Sequence, residues 1–155
     1  MSDNGRLRQI LEAVPQQAPF RFIDEIIEID RDHIVGSYMF RKDEFFYEGH
    51  FPGHPITPGV ILVESMAQVA VVAFGIYLLV EERNYPLERV SEITTLFSLM
   101  ENMEFLQPVL PGERVTVTGE RVYFRRSSLK VNASMLKDDG TVVCRGTLTG
   151  TGVNL

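Results

Sequence analysis

From Val69 to Val80 the chain runs twelve residues without a charged or amide side chain, counting Gly75. Any fold this sequence adopts must put that run out of water. A membrane-spanning helix needs about 20 such residues. Extending the run backwards meets Gln68, Ser65 and Glu64, which are costly in lipid. The run is therefore expected to be the middle of a helix buried inside a protein, from about Val60 to about Glu82, with no membrane insertion. Pro58 stands just before it and Gly59 marks the entry. Met1 to Arg6 holds no apolar core of the kind a signal peptide needs, so the expected location is the cytoplasm.

What can surround such a helix follows from the rest of the chain. With 155 residues, 45% hydrophobic and 23% charged, the expectation is a single globular domain over 1–155. One cysteine, Cys144, rules out an internal disulfide and a cysteine-based zinc site, and suits a reducing compartment. A net charge of −6 argues against nucleic acid or an anionic membrane as the main partner.

Leu7, Ile10, Leu11 and Val14 recur at helical spacing, so a short N-terminal helix ending near Pro15 is expected. Phe20 to Asp30 reads as a strand and His33 to Phe40 as its partner, with Asp30-Arg31-Asp32 as the turn. Phe45 to Gly59 carries three prolines and three glycines and reads as a structured loop. After the helix, Val90 to Phe105, Arg114 to Phe124, Ser128 to Lys137 and Thr141 to Thr149 read as strands. Asp138-Asp139-Gly140 supplies the last hairpin turn. One long helix and a run of mostly antiparallel strands make an α+β fold, in which a curved antiparallel sheet wraps around the central apolar helix. The helix is apolar on every side, so a second copy of the chain is a further candidate to cover it.

The chemistry is concentrated between Gly49 and Gln68. His50 sits in a loop stiffened by Pro52, Pro55 and Pro58. Glu64 falls on the first turns of the buried helix, among Leu62, Val63, Met66 and Ala67, which offer no counter-charge. Desolvation there favours the neutral acid. A histidine able to take a proton beside a glutamic acid able to give one is an acid–base pair. The Gly59 and Val60 amides open a helix, where unpaired N–H groups can hold a developing oxyanion. Together they suggest proton abstraction beside a carbonyl, followed by loss of a leaving group. Gln68, one turn beyond Glu64, is placed either to orient it or simply to pack.

The stretch Gly49-His50-Phe51-Pro52-Gly53-His54-Pro55-Ile56-Thr57-Pro58-Gly59-Val60, continued by Glu64-Ser65-Met66-Ala67-Gln68, resembles the β-hydroxyacyl-acyl carrier protein dehydratases of the FabZ type. The sister FabA type carries Asp where Glu64 stands. Pro19-Phe20 with Ile23-Asp24, and Phe105 with Pro108-Val109 and Pro111-Gly112, extend the resemblance over most of the chain. It implies the hot-dog fold, a dimer in which His50 of one subunit faces Glu64 of the other, and often a trimer of dimers. It implies that His50 takes the α-proton, that Glu64 protonates the departing β-hydroxyl and that the Gly59 amide holds the thioester oxygen. It further implies an apolar tunnel for the acyl chain, acyl carrier protein as partner with the substrate on its phosphopantetheine, and no metal or redox cofactor.

The chain departs from that pattern at several places. Leu106 and Gln107 stand where a basic pair is common, Leu99 where Gly is common, Thr57 where an apolar residue is usual, and Gln16-Gln17 where His-Arg is common. Arg121, Arg125, Arg126 and Lys130 form the main basic cluster, either a solvated hairpin or a dock for an acidic carrier protein. His33 and His54 lack a third ligand for zinc, and Cys144 reads as a strand residue. Phe45, Phe46 and Tyr47 read as core aromatics or as a gate to the tunnel. Two other readings stay open: a non-catalytic dehydratase-like partner subunit and a hot-dog acyl thioesterase. An enoyl isomerase would use related proton transfers.

Overall fold

A computed structural model describes residues 3–154. After a short helix α1 (Asp3–Ala13) come strands β1 (Glu25–Ile29) and β2 (His33–Met39), then the long helix α2 (Gly59–Arg83). A 3₁₀ turn (Leu87–Glu92) leads into β3 (Thr94–Phe105), β4 (Arg114–Arg125), β5 (Ser128–Lys137) and β6 (Val142–Val153). Among the described residues the six strands form one sheet in the order β1-β2-β4-β5-β6-β3, antiparallel at every pairing.

By length and composition α2 could cross a membrane, but 78% of its apolar window is buried inside the fold. It is the core helix that the apolar run demands. Val69, Ala70, Val71, Val72, Ala73 and Phe74 are all buried, and full burial of each larger apolar side chain contributes about 1.5–3 kcal/mol. Between Gln68 and Ala73 the helix widens into a π-helical stretch, which the sequence did not announce.

That stretch lies almost on the sheet backbone because glycines stand beneath it. A Cβ at Gly36 on β2 would come 2.9 Å from the Val69 side chain, and one at Gly119 on β4 would come 2.8 Å from the Ala70 Cβ. Both distances are closer than real carbon contacts, so only glycine admits the helix at this depth. Asn84 ends α2 in the left-handed conformation (φ 51°), which asparagine tolerates, and Pro86 prevents its continuation.

Three strand expectations need correction. β1 begins only at Glu25, not Phe20, because side chains from α2 claim the backbone before it. The Phe22 amide donates to Gln68 Oε1 (2.6 Å), Ser65 Oγ donates to the Phe22 carbonyl (2.8 Å), and Gln68 Nε2 donates to the Phe20 carbonyl (2.9 Å). β3 begins at Thr94, not Val90, since Val90 anchors the 3₁₀ turn in the core. β6 runs past Thr149 to Val153, its strand character masked in sequence by Gly150 and Gly152, and Val153 pairs with Thr94.

Gly119→Ala would force the Ala70 segment off the sheet. The expected cost is about 1–3 kcal/mol, read as a lower urea midpoint with an unchanged slope. An unchanged midpoint would mean that the helix seat tolerates a methyl group.

Candidate active site

Cross-links within the His50 loop hold its shape. The His50 amide donates to the Phe46 carbonyl (3.1 Å), the Ile56 amide to the His50 carbonyl (2.9 Å) and the Thr57 amide to the Val109 carbonyl (2.9 Å). Thr57, buried where an apolar residue is usual, shares a 2.6 Å hydrogen bond with the buried Tyr47 hydroxyl. That bond satisfies both hydroxyls and fixes Tyr47 as core rather than gate.

The imidazole of His50 is fixed on two sides. Its Nδ1 lies 2.8 Å from the Ile56 carbonyl, and its ring stacks on Phe51 with centroids 4.1 Å apart. A carbonyl only accepts, so Nδ1 must carry the proton. In the neutral ring Nε2 then holds a lone pair, which is the form a base requires. His50 lines a pocket of about 400 Å³ with Gly59, Leu62, Phe105, Leu106 and Gln107 among its walls. Leu106 and Gln107, in place of a basic pair, thus make one wall of the pocket uncharged.

Glu64 projects from the first turns of α2 into a different cavity, a small one of about 40 Å³ shared with Gln16, Ala67, Val71, Val72, Thr95, Phe97 and Gly150. Burial pushes its carboxyl above the usual carboxylate range, and a hydrogen bond from Gln68 pulls the other way. Gln68 Nε2 donates to Glu64 Oε1 at 3.1 Å while the same amide group pins Phe20 and Phe22. Gln68 is thus packed in the core and hydrogen-bonded to Glu64 at the same time.

Pro58 caps α2 without a side-chain hydrogen bond, and its carbonyl accepts from Ile61 and Leu62. Among the described residues the Gly59 and Val60 amides have no hydrogen-bond partner. They remain free donors at the positive end of a helix. Phe105 lies against Gly59: a Cβ there would meet its ring at 3.0 Å. Phe105, the last residue of β3, thereby buttresses the helix start, a contact that its place in the sequence does not announce.

His50 and Gly59 line one pocket at the start of α2, Val60 is exposed next to it and outside its lining, and within one chain Glu64 opens into its own cavity. The basic cluster stays together on the β4–β5 hairpin, but half of its charge is already matched. Arg121 is paired with Glu82 and Lys130 with Glu101 (3.1 Å), while Arg125, lying over the Tyr123 ring, and Arg126, at the β4–β5 turn, are exposed. His54 is exposed, and His33 is held by Glu28 and Asp30. Cys144 is fully buried against Met66, and burial pushes its thiol up to about 12. Leu99 is half-exposed on β3 and lines neither the His50 pocket nor the Glu64 cavity.

Known proteins give this arrangement a family. The FabA-like domain model matches residues 14–147. The 3-hydroxyacyl-[acyl-carrier-protein] dehydratase FabZ of Streptococcus pyogenes serotype M3 is 31% identical, the match covering 92% of this chain and 95% of that one. The protein of the same name from Geotalea uraniireducens is 33% identical, over 94% of each. Among solved structures, the dehydratase heterocomplex ApeI:P from Xenorhabdus doucetiae superposes with a TM-score of 0.74 at 15% identity, covering 94% of this chain and 91% of that one. A thioesterase from Haemophilus influenzae gives 0.64 at 18% identity, covering 96% and 91%. At those identities the likeness is one of fold: a sheet wrapped round one central helix, the hot-dog fold. With the motif in place, the fold matched and the family model spanning most of the sequence, this chain belongs to the FabA-like family, with FabZ dehydratases among its relatives.

Proposed function

We propose that the protein dehydrates 3-hydroxyacyl groups carried on the phosphopantetheine of acyl carrier protein, giving trans-2-enoyl thioesters and water in fatty acid or related lipid synthesis. One observation carries this reading. The same fold holds an imidazole with its Nε2 lone pair free and a carboxyl that burial keeps toward its neutral form, in a chain whose relatives are named for that reaction.

His50 Nε2 takes the proton from the α-carbon. The electron pair released becomes the Cα–Cβ double bond, the Cβ–O bond breaks, and Glu64 gives its proton to the departing hydroxyl, which leaves as water. Charge that builds on the thioester oxygen meets the free Gly59 and Val60 amides. The residues themselves supply the base, the acid and the oxyanion donors, so no metal or redox cofactor takes part.

His50 and Glu64 line different cavities of one chain, so the working site pairs His50 of one copy with Glu64 of a second. Leu96, Phe97, Leu99 and Met100 on the edge strand β3 are each about half-exposed. They leave apolar surface on both faces of this edge strand, which a second copy would bury. Arg125 and Arg126 remain for an acidic carrier protein, because Arg121 and Lys130 are already ion-paired.

His50→Ala and Glu64→Ala are each expected to lower kcat by about 10²–10⁴-fold without changing the thermal midpoint. Refolding the two inactive variants together restores roughly a quarter of wild-type activity, since half of the dimers are mixed and each mixed dimer has one intact site. No recovery on mixing would place both residues in a site built from one chain.

The pH dependence follows from Glu64, which must be protonated to act. Activity is therefore lost as pH rises through its elevated pKa. Gln68→Leu removes the one hydrogen bond that favours the carboxylate, so the alkaline limb of the rate profile shifts to higher pH. The same substitution leaves the Phe22 amide and the Phe20 carbonyl unpaired, at about 1–3 kcal/mol each. A stability loss with an unmoved alkaline limb would make Gln68 purely structural.

A further inference from the structure

Gln16 lies just beyond the end of α1, and one guanidinium fixes the backbone that carries it. Arg21 Nη1 donates to the Gln16 carbonyl (3.1 Å) and to the Val14 carbonyl (3.0 Å), and its Nη2 donates to the Leu11 carbonyl (2.7 Å). Val14 is buried, and Pro15 limits the backbone that follows it. The segment so held sets Gln16 in the wall of the Glu64 cavity.

The Gln16 Oε1 atom is out of water and has no hydrogen-bond partner among the described residues. Buried polar atoms are almost always bonded, so this acceptor is left for a donor that enters the cavity. Apart from Thr95, only Gln16 and Glu64 bring polar side chains to the lining. At about 40 Å³ the space takes one water-sized group and no chain. Gln68 already donates to Glu64 Oε1 (3.1 Å), which makes that oxygen an acceptor and leaves Oε2 for the acid proton. The occupant that suits both residues must accept from Glu64 and donate to Gln16. A hydroxyl does both at a single oxygen.

We propose that Gln16 Oε1 accepts the hydrogen bond of the substrate's 3-hydroxyl, so that Glu64 and Gln16 hold the departing oxygen between them and the site takes 3-hydroxyacyl over 3-oxoacyl thioesters. This inference rests on the dehydratase reading above. As the Cβ–O bond breaks, its electron pair stays with the oxygen, which takes the Glu64 proton and becomes water. Gln16 neither gives nor takes a proton, and it keeps its bond to that water. A 3-oxo group has no proton to offer, and its oxygen would face the lone pairs of the Gln16 amide.

Amide analogues, with NH in place of the thioester sulfur, have a far less acidic α-proton and are not dehydrated. Binding of the octanoyl-, 3-hydroxyoctanoyl- and 3-oxooctanoyl-pantetheine amides to the assembled full-length protein therefore reads this contact without turnover. Wild type is expected to bind the 3-hydroxy form about ten-fold more tightly than the 3-oxo form. Gln16→Met, unbranched and of equal length but without the amide oxygen, is expected to weaken the 3-hydroxy form about ten-fold and the plain octanoyl form less than about two-fold. Gln16→Glu keeps an acceptor oxygen at the same reach and retains the preference. Wild type that binds the 3-oxo and 3-hydroxy forms equally overturns the proposal. A loss in Gln16→Met that falls equally on the plain and 3-hydroxy forms, or that Gln16→Glu shares, also overturns it. Turnover of 3-hydroxyoctanoyl-acyl carrier protein separates the two readings. A 3-hydroxy preference that depends on Gln16, with no turnover by wild type, keeps this contact and removes the dehydratase function; turnover without that preference does the reverse.

Discussion

Everything in this molecule depends on a helix that cannot meet water on any side. α2 is 25 residues long and carries the apolar run from Val69 to Val80. A sheet of six antiparallel strands gives it cover only because glycines let it lie against the strand backbone. Gly36 receives Val69, Gly119 receives Ala70, and Gly150 receives Val71. These contacts fall at the π-helical stretch Gln68–Ala73, where the helix is widest. The depth of the helix and the close seat of Val71 on β6 are consequences of one packing solution.

The site inherits its precision from the same helix. Glu64 and Gln68 are one turn apart, and Gln68 spends its amide on three partners: the Phe22 amide, the Phe20 carbonyl and Glu64 Oε1. A buried amide bonded this fully has little freedom to rotate, so the Glu64 carboxyl has a fixed neighbour in a small cavity. At the other end of the segment, Thr57 and Tyr47 satisfy each other and steady the loop that carries His50. Tyr47, Thr57, Ser65 and Gln68 are buried with hydrogen bonds made, which is the condition under which burial stabilises rather than costs. Carboxyl and imidazole then face different spaces of one chain, and the proposed dimer is what brings them to one substrate.

Much of this was legible in the sequence, for identifiable reasons. The apolar run could only be a core helix, and its bounds were readable from Pro58 at one end and the polar Glu82-Arg83-Asn84 at the other. Asp138-Asp139-Gly140 fixed the last hairpin, and β5 occupies the expected residues. His50 and Glu64 stood out because prolines surround one and apolar residues the other. The π-helical stretch left no signal, since the same apolar residues suit either helix. The early end of the first expected strand was hidden because the groups that claim Phe20 and Phe22 lie more than forty residues away, on α2. The last part of β6 was hidden by Gly150 and Gly152, which have no side chain to show the alternation of a strand. Arg121 and Lys130 looked like free cations because their partners, Glu82 and Glu101, come from other elements.

The central claim is that this site removes water from a thioester-bound 3-hydroxyacyl group rather than cleaving the thioester. Intact-protein mass spectrometry of 3-hydroxyacyl-acyl carrier protein, followed over time with the enzyme, reads the two outcomes directly. The account predicts a carrier lighter by one water, with the acyl group still attached, approached also from the enoyl form by gain of one water. A carrier stripped to its free phosphopantetheine thiol, or one whose mass does not change, would contradict it.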